Sequence, residues 1–111
     1  MSPDDFRRLA LQLPESIEQE HGRHPDFRVR GKVFATLGWP DTEWGVVRLT
    51  PEDQEMRVSA LPAAFQPVPG AWGRRGYTMV KLAAATEPDL DAALRAAWRN
   101  TAPKTLAAPL G

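Results

Sequence analysis

Glu18, Glu20, His21 and His24 are the nearest this chain comes to a metal-binding set. Carboxylates and imidazoles at such density can hold a divalent cation. Gly22 and Pro25 punctuate the segment as a turn, however, so the histidines share no helical face. No third histidine and no cysteine stands elsewhere to complete a ligand set. A solvated turn beside an acidic edge strand is the plainer reading, and no metal site is expected. Nucleophilic chemistry fares no better. Besides Ser2 the serines are Ser16 and Ser59, and neither stands in a Gly-x-Ser-x-Gly elbow. The carboxylate pairs Asp4/Asp5 and Glu52/Asp53 each open a helix, where the positive end of the helix dipole accounts for them. Gly70-Ala71-Trp72-Gly73-Arg74-Arg75-Gly76 is glycine-dense but matches neither the P-loop nor the dinucleotide fingerprint. It reads as a tight turn whose Arg74 and Arg75 are still able to fork onto phosphate. No catalytic constellation can be named, so neither enzymatic activity nor a cofactor is expected.

Charge is the broader signal. The stretch from Phe27 to Leu37 holds Arg28, Arg30 and Lys32 and no acid; that from Leu61 to Thr86 holds Arg74, Arg75 and Lys81 and no acid. If these two basic hairpins are neighbours in a sheet, they make a basic patch beside Trp44 and Trp72, which suit base stacking. Two facts oppose this. A two-residue hairpin at Arg30-Gly31 pairs Lys32 with Val29 and turns it away from Arg28 and Arg30. The whole chain is also neutral, with 14 Lys and Arg against 14 Asp and Glu, which limits sequence-independent attraction to phosphate.

The elements that must position these groups follow from pattern. Ser2-Pro3-Asp4-Asp5 predicts a helix start, with Phe6, Leu9, Ala10 and Leu13 as its apolar stripe and Pro14 as its stop. Glu15–Glu20 reads as an edge strand anchored by Ile17, and His21–Pro25 as a turn. Phe27–Val29 and Lys32–Leu37 form the hairpin, and Trp44–Leu49 is the next strand. Thr50-Pro51-Glu52-Asp53 opens a second helix to about Ala60, with Met56 and Ala60 on a thin stripe. Phe65–Val68 and Tyr77–Leu82 are strands. Thr86-Glu87-Pro88-Asp89 opens the last helix, its face made by Leu90, Ala93, Leu94, Ala97 and Trp98. Met56 and Met79 read as core fillers, Trp98 as core, and Trp39 as a lid or a packing residue under its loop. The expected fold class is α+β in two layers, an antiparallel β-sheet covered on one face by the N- and C-terminal helices.

Composition agrees with one such domain. The chain has 111 residues, 42% hydrophobic and 25% charged, with no cysteine and therefore no disulfide or thiolate site. No apolar run approaches a membrane span. The acidic opening Met1-Ser2-Pro3-Asp4-Asp5 is unlike a targeting peptide, so a cytoplasmic, bacterial-type monomer is expected. The domain is taken as residues 1–104, with 105–111 a frayed tail.

The segments Gly22–Leu37 and Phe65–Leu82 resemble the two signatures of the MmcQ/YjbR-like family. Leu13-Pro14-Glu15 and the closing Ala102-Pro103-Lys104 fit the same pattern, and the resemblance spans about residues 5–104. It implies a frataxin-like (CyaY-like) fold and carries a DNA-binding label, through a proposed "double wing" arrangement. It supplies no catalytic residue and no cofactor. By position, Arg28, Arg30 and Lys32 match the family's first basic hairpin, and Trp72, Arg74 and Arg75 its glycine-rich turn. The leading expectation is a non-enzymatic binding module with DNA as partner, using these six residues. The alternative is a small-molecule or protein-interaction domain with its ligand against the sheet near Lys32, His24 and Trp39.

Overall fold

The computed structural model describes residues 1–108, the side chain of His21 excepted. The chain runs α1 (Pro3–Leu11), β1 (Ser16–His21), β2 (His24–Val29), β3 (Lys32–Leu37), β4 (Trp44–Arg48), α2 (Pro51–Ala60), β5 (Phe65–Pro67), α3 (Ala71–Arg74), β6 (Tyr77–Lys81), α4 (Glu87–Thr101) and α5 (Lys104–Ala107). Three helices open with one grammar, a hydroxyl residue followed by proline and acids. The Ser2 and Thr86 side chains accept from the Asp5 and Asp89 amides, and those aspartates return the bond to the cap, so both α1 and α4 carry complete capping boxes. Thr50 makes only its own half, accepting from the Asp53 amide.

All six strands form one antiparallel sheet in the order β1-β2-β3-β4-β6-β5. Helices α1 and α4 cover one face. Phe6, Leu9 and Ala10 of α1 and Leu90, Ala93, Leu94, Ala97 and Trp98 of α4 are buried against Phe27, Val29, Ala35, Val47 and Val80. Each large side chain removed from water there contributes about 1.5–3 kcal/mol, and this stripe-on-sheet packing is the main support of the fold. The Trp98 indole also donates to the Pro14 carbonyl at 3.0 Å, tying α4 to the exit of α1.

Successive strand residues point to opposite faces, so the second face is built from the alternate positions. It carries His24, Asp26 and Arg28 of β2, Thr36 of β3, Trp44, Val46 and Arg48 of β4, and Tyr77, Met79 and Lys81 of β6. A bulge in β3 decides two of these placements. Phe27 pairs with Ala35 and Arg28 with Val33, leaving Phe34 as the additional residue. Phe34 and Ala35 are thereby both buried and Thr36 falls on the open face, while Lys32, paired with Val29 ahead of the bulge, lies on the helix-covered side.

Several expectations need correction. Helix α1 ends at Leu11, and Leu13 is buried from the segment beyond it. The turn expected over His21–Pro25 is only Gly22-Arg23, with His21 and His24 paired across it. Met56 and Ala60 are exposed, Met56 at 55%, because α2 lies on the sheet's margin and buries no residue. The glycine-rich segment contains the one-turn helix α3. Where a frayed tail is expected from Thr105, α5 packs Leu106 and Ala107 against the core; residues 109–111 lie outside the described residues.

Candidate functional site

Helices α1 and α4 leave the second face of the sheet open, and its middle is apolar. Val46, Met79 and Val68 form a small buried cluster on which Trp44 and Tyr77 pack. Over this floor lies a concavity of about 310 Å³ lined by His24, Thr36, Trp39, Val46, Val68, Trp72 and Tyr77. It crosses the strands: His24 and Trp39 stand at one end, Trp72 and Tyr77 at the other. Trp39 comes from the loop between β3 and β4, and Trp72 from α3. Both are exposed, at 36% and 55%, where burial would be the ordinary fate of an indole. A second concavity of about 450 Å³ adjoins the first through His24 and is lined mainly by the same loop with Pro3, Arg23 and Pro25.

Helix α3 is held in place by a polar clamp. The Gln54 amide of α2 donates to the carbonyls of Gly73 and Tyr77, both at 3.0 Å, and to Thr78 Oγ1 at 3.2 Å. The Trp72 ring then meets Tyr77 edge-on, 5.0 Å between centroids and at 90°, and the Arg75 guanidinium lies 5.2 Å from the Trp72 centroid. At the far end of β4, Lys81 Nζ lies 5.8 Å from the Trp44 ring. Both are cation–π arrangements, and both leave hydrogen-bond donors free for solvent or ligand.

The residues expected to bind DNA are not brought together. Arg28 stands on the open face but is forked onto Asp26, at 2.9 and 3.0 Å, and this partner holds its pKa above the ordinary arginine value. Arg30, in the hairpin turn, is forked onto Glu15 at 2.6 and 2.9 Å; the pairing raises the arginine and lowers the carboxyl. Lys32 is exposed on the other side of the sheet, at the hairpin tip. Arg74 lines another hollow, with Gln54, Pro67 and Gly70, which meets the concavity at Val68. Of the six, Trp72 alone lines the concavity, with Arg75 over its ring. The two basic segments are not neighbours, because β4 lies between the β2–β3 hairpin and β6.

Glu18 of the candidate metal set turns to the helix side and takes Arg7 of α1 at 2.9 Å, on the face opposite His24. Among the described residues no cluster of three or more His, Asp or Glu could hold a metal ion. The alternative site near His24 and Trp39 is where the concavity lies, without Lys32. Sequence reasoning missed Thr36, Val46, Val68, Tyr77 and Arg48. The signal lies in Trp44-Gly45-Val46-Val47-Arg48: Trp44, Val46 and Arg48 are large at alternate positions while Val47 is apolar between them, the pattern of a strand with both faces in use.

Among the described residues no helix is long and apolar enough to cross a membrane. No curated protein matches the chain. The crystal structure of Deinococcus radiodurans protein DR2400, described with a DUF419 domain, is similar in fold. Its TM-score is 0.74 over 89% of this chain and 77% of that one, at 20% identity. The sequence pattern of the YjbR family matches residues 11–100, a span that takes in all six strands and every residue lining the concavity over Val46, and on that match the chain belongs to the YjbR family.

Proposed function

We propose that this protein is a small-molecule-binding module, and that the concavity on the open sheet face takes a planar ring. The observation that carries the reading is the pair of exposed tryptophans, Trp39 and Trp72, facing one apolar floor. Ligand pockets are mostly apolar and aromatic with a few polar groups for orientation, and His24 and Thr36 are the polar groups at hand. The volume lies at the small end of the usual range, about 300–1,000 Å³, which suits a ring of one or two cycles. The four indole N–H resonances test the proposal directly. Titration with adenosine and with indole as probes is expected to shift the signals of Trp39 and Trp72 and leave that of buried Trp98 in place. Trp72→Ala, a change at an exposed site, is expected to weaken probe binding about tenfold. Absence of any shift at Trp39 and Trp72 with either probe overturns the reading.

A second reading, DNA binding, draws support from Arg48, Arg75 and Lys81, which stand among Trp44, Trp72 and Tyr77 on the same face. Against it stand the neutral chain and the two forked pairs at Arg28 and Arg30. A duplex oligonucleotide in the same titration separates the two. Duplex binding that resists salt and shifts resonances of Arg48, Arg75 and Lys81 rather than Trp39 favours DNA.

A further inference from the structure

The charge around the concavity is uneven. Among the described residues no carboxylate lines it. Asp26, on the same face, is 6% exposed and taken up by Arg28, so that pair contributes no net charge. The Trp72 end is different. Arg75 lies over the Trp72 ring, and Arg48 stands opposite Tyr77 in the β4–β6 register, on the face where Tyr77 meets Trp72. Neither arginine makes an ion pair among the described residues. The Arg75 guanidinium, resting on the Trp72 indole, keeps its outer N–H groups free, and with Arg48 beside Tyr77 a second guanidinium stands at the margin of that end of the apolar trough; two such donors ask for an anion with several acceptor oxygens.

The opposite end asks for something else. His24 and Thr36 offer an imidazole and a hydroxyl beside the Trp39 ring, which suits the hydrogen-bonding edge of a flat heterocycle. From β2 to β6 the trough crosses three strand spacings, on the order of 14 Å. A single ring fills only part of that length. A ring carrying a sugar and a phosphate fills it, with the polar groups at the two ends where the protein has partners for them.

We propose that the ligand is a nucleoside monophosphate group, its base between Trp39 and the His24–Thr36 end and its phosphate at Arg75 and Arg48. The proposal rests on the concavity being a ligand site, as argued above, and adds the chemical class of the ligand. The group is supplied either by a free nucleotide or by a single-stranded nucleic acid, which share this chemistry.

Calorimetric titration with adenosine monophosphate, adenosine and inorganic phosphate tests it, at about 50 and about 200 mM salt. The nucleotide is expected to bind at least about tenfold more tightly than the nucleoside at the lower salt. Arg48→Gln combined with Arg75→Gln is expected to erase that preference, and an unshifted indole N–H signal of buried Trp98 shows that the variant is folded. Equal affinity for nucleotide and nucleoside, or a preference that survives the double substitution, overturns the proposal and leaves the ring-binding reading standing. Binding of neither compound overturns both. Adenosine monophosphate binding no better than inorganic phosphate assigns the arginines to an adventitious ion only and overturns the proposal. In a further arm with a deoxyadenosine hexanucleotide, both outcomes support the nucleoside-phosphate class. Tighter binding with a steeper salt slope identifies a nucleic acid as the source, and unchanged binding identifies the free nucleotide.

Discussion

Arg28 and Arg75 are indistinguishable as letters and differ in the fold through what lies beside them. Residues two apart on a strand share a face, so spacing alone places Asp26 next to Arg28, a signal that a count of charges along the chain passes over. The Arg30–Glu15 pair has no such local signal, since it depends on Ser16 meeting Val29 across the β1–β2 register. The glycines around Arg75 show the same limit. Their density reads as a turn or a phosphate cradle, yet the fold uses them for backbone proximity. A Cβ on Gly73 would stand 1.8 Å from the Val68 carbonyl oxygen, and one on Gly76, at φ +107°, 2.0 Å from that of Leu49. By contrast Gly31, at φ +80°, has open space around it. Gly73→Ala is therefore expected to cost about 3 kcal/mol or more, since the backbone must move. Gly31→Ala is expected to cost only about 1 kcal/mol of left-handed strain. Urea unfolding of the two variants checks the contrast, and equal losses would show that the approach at Gly73 is relieved without cost.

At the scale of elements the pattern is nearly sufficient, because caps, stripes and alternation are local signals. Leu90, Ala93, Leu94, Ala97 and Trp98 read as one face of α4 from their spacing, and all are fully buried. Helix α2 is where pattern misleads. It has the right opening, Thr50-Pro51-Glu52-Asp53, but none of its residues is fully buried, Val58 only leaning on the core, and what it contributes besides is Gln54, whose amide holds α3. The two N-caps consequently have different jobs. Thr86→Ala unpins a helix that carries the core and is expected to lower stability by about 1 kcal/mol while leaving probe binding in the concavity unchanged. Thr50→Ala loosens the first turn of a helix with no fully buried residue, so its stability loss is expected to be about 0.5 kcal/mol. It also releases Gln54, so amide exchange in α3 speeds up and probe binding at Trp72 weakens. Urea unfolding and hydrogen exchange on both variants test this. A Thr50→Ala protein with unaltered exchange at Ala71–Arg74 would detach the clamp from the site.

Strand order is a property of the whole molecule, and it is the part that pattern does not supply. That β6 pairs with β4 and not with β3 is a matter of long-range closure, and it is what parts the two basic segments and opens the trough between Trp39 and Trp72. Two of the ion pairs belong to this scale too, since they join different elements of the fold: Arg8 meets Glu87 at 2.7 Å, and Arg30 meets Glu15. Their consequence is a dependence of stability on acid. Asp5 is held below its ordinary carboxyl value of 3.8, chiefly by the Ser2 backbone N–H and hydroxyl and then by Arg8. Glu15 is held below 4.5, chiefly by its bond from Arg30. A carboxyl whose folded pKa is lower than its unfolded one binds fewer protons in the native state. Its contribution is therefore fully present above the ordinary value and drains away as pH falls through the lowered one. Both groups are exposed, so each effect is screened and small. Urea midpoints measured from pH 7 down to about pH 2 are expected to hold level to about pH 5 and then decline. Glu15→Gln and Asp5→Asn each start lower at neutral pH and decline less steeply. The neutral-pH loss of Glu15→Gln should shrink in high salt, which screens an exposed ion pair. Variants that parallel the parent curve through the acid limb would show that these two carboxyls titrate alike folded and unfolded, and would remove both from the account of acid stability.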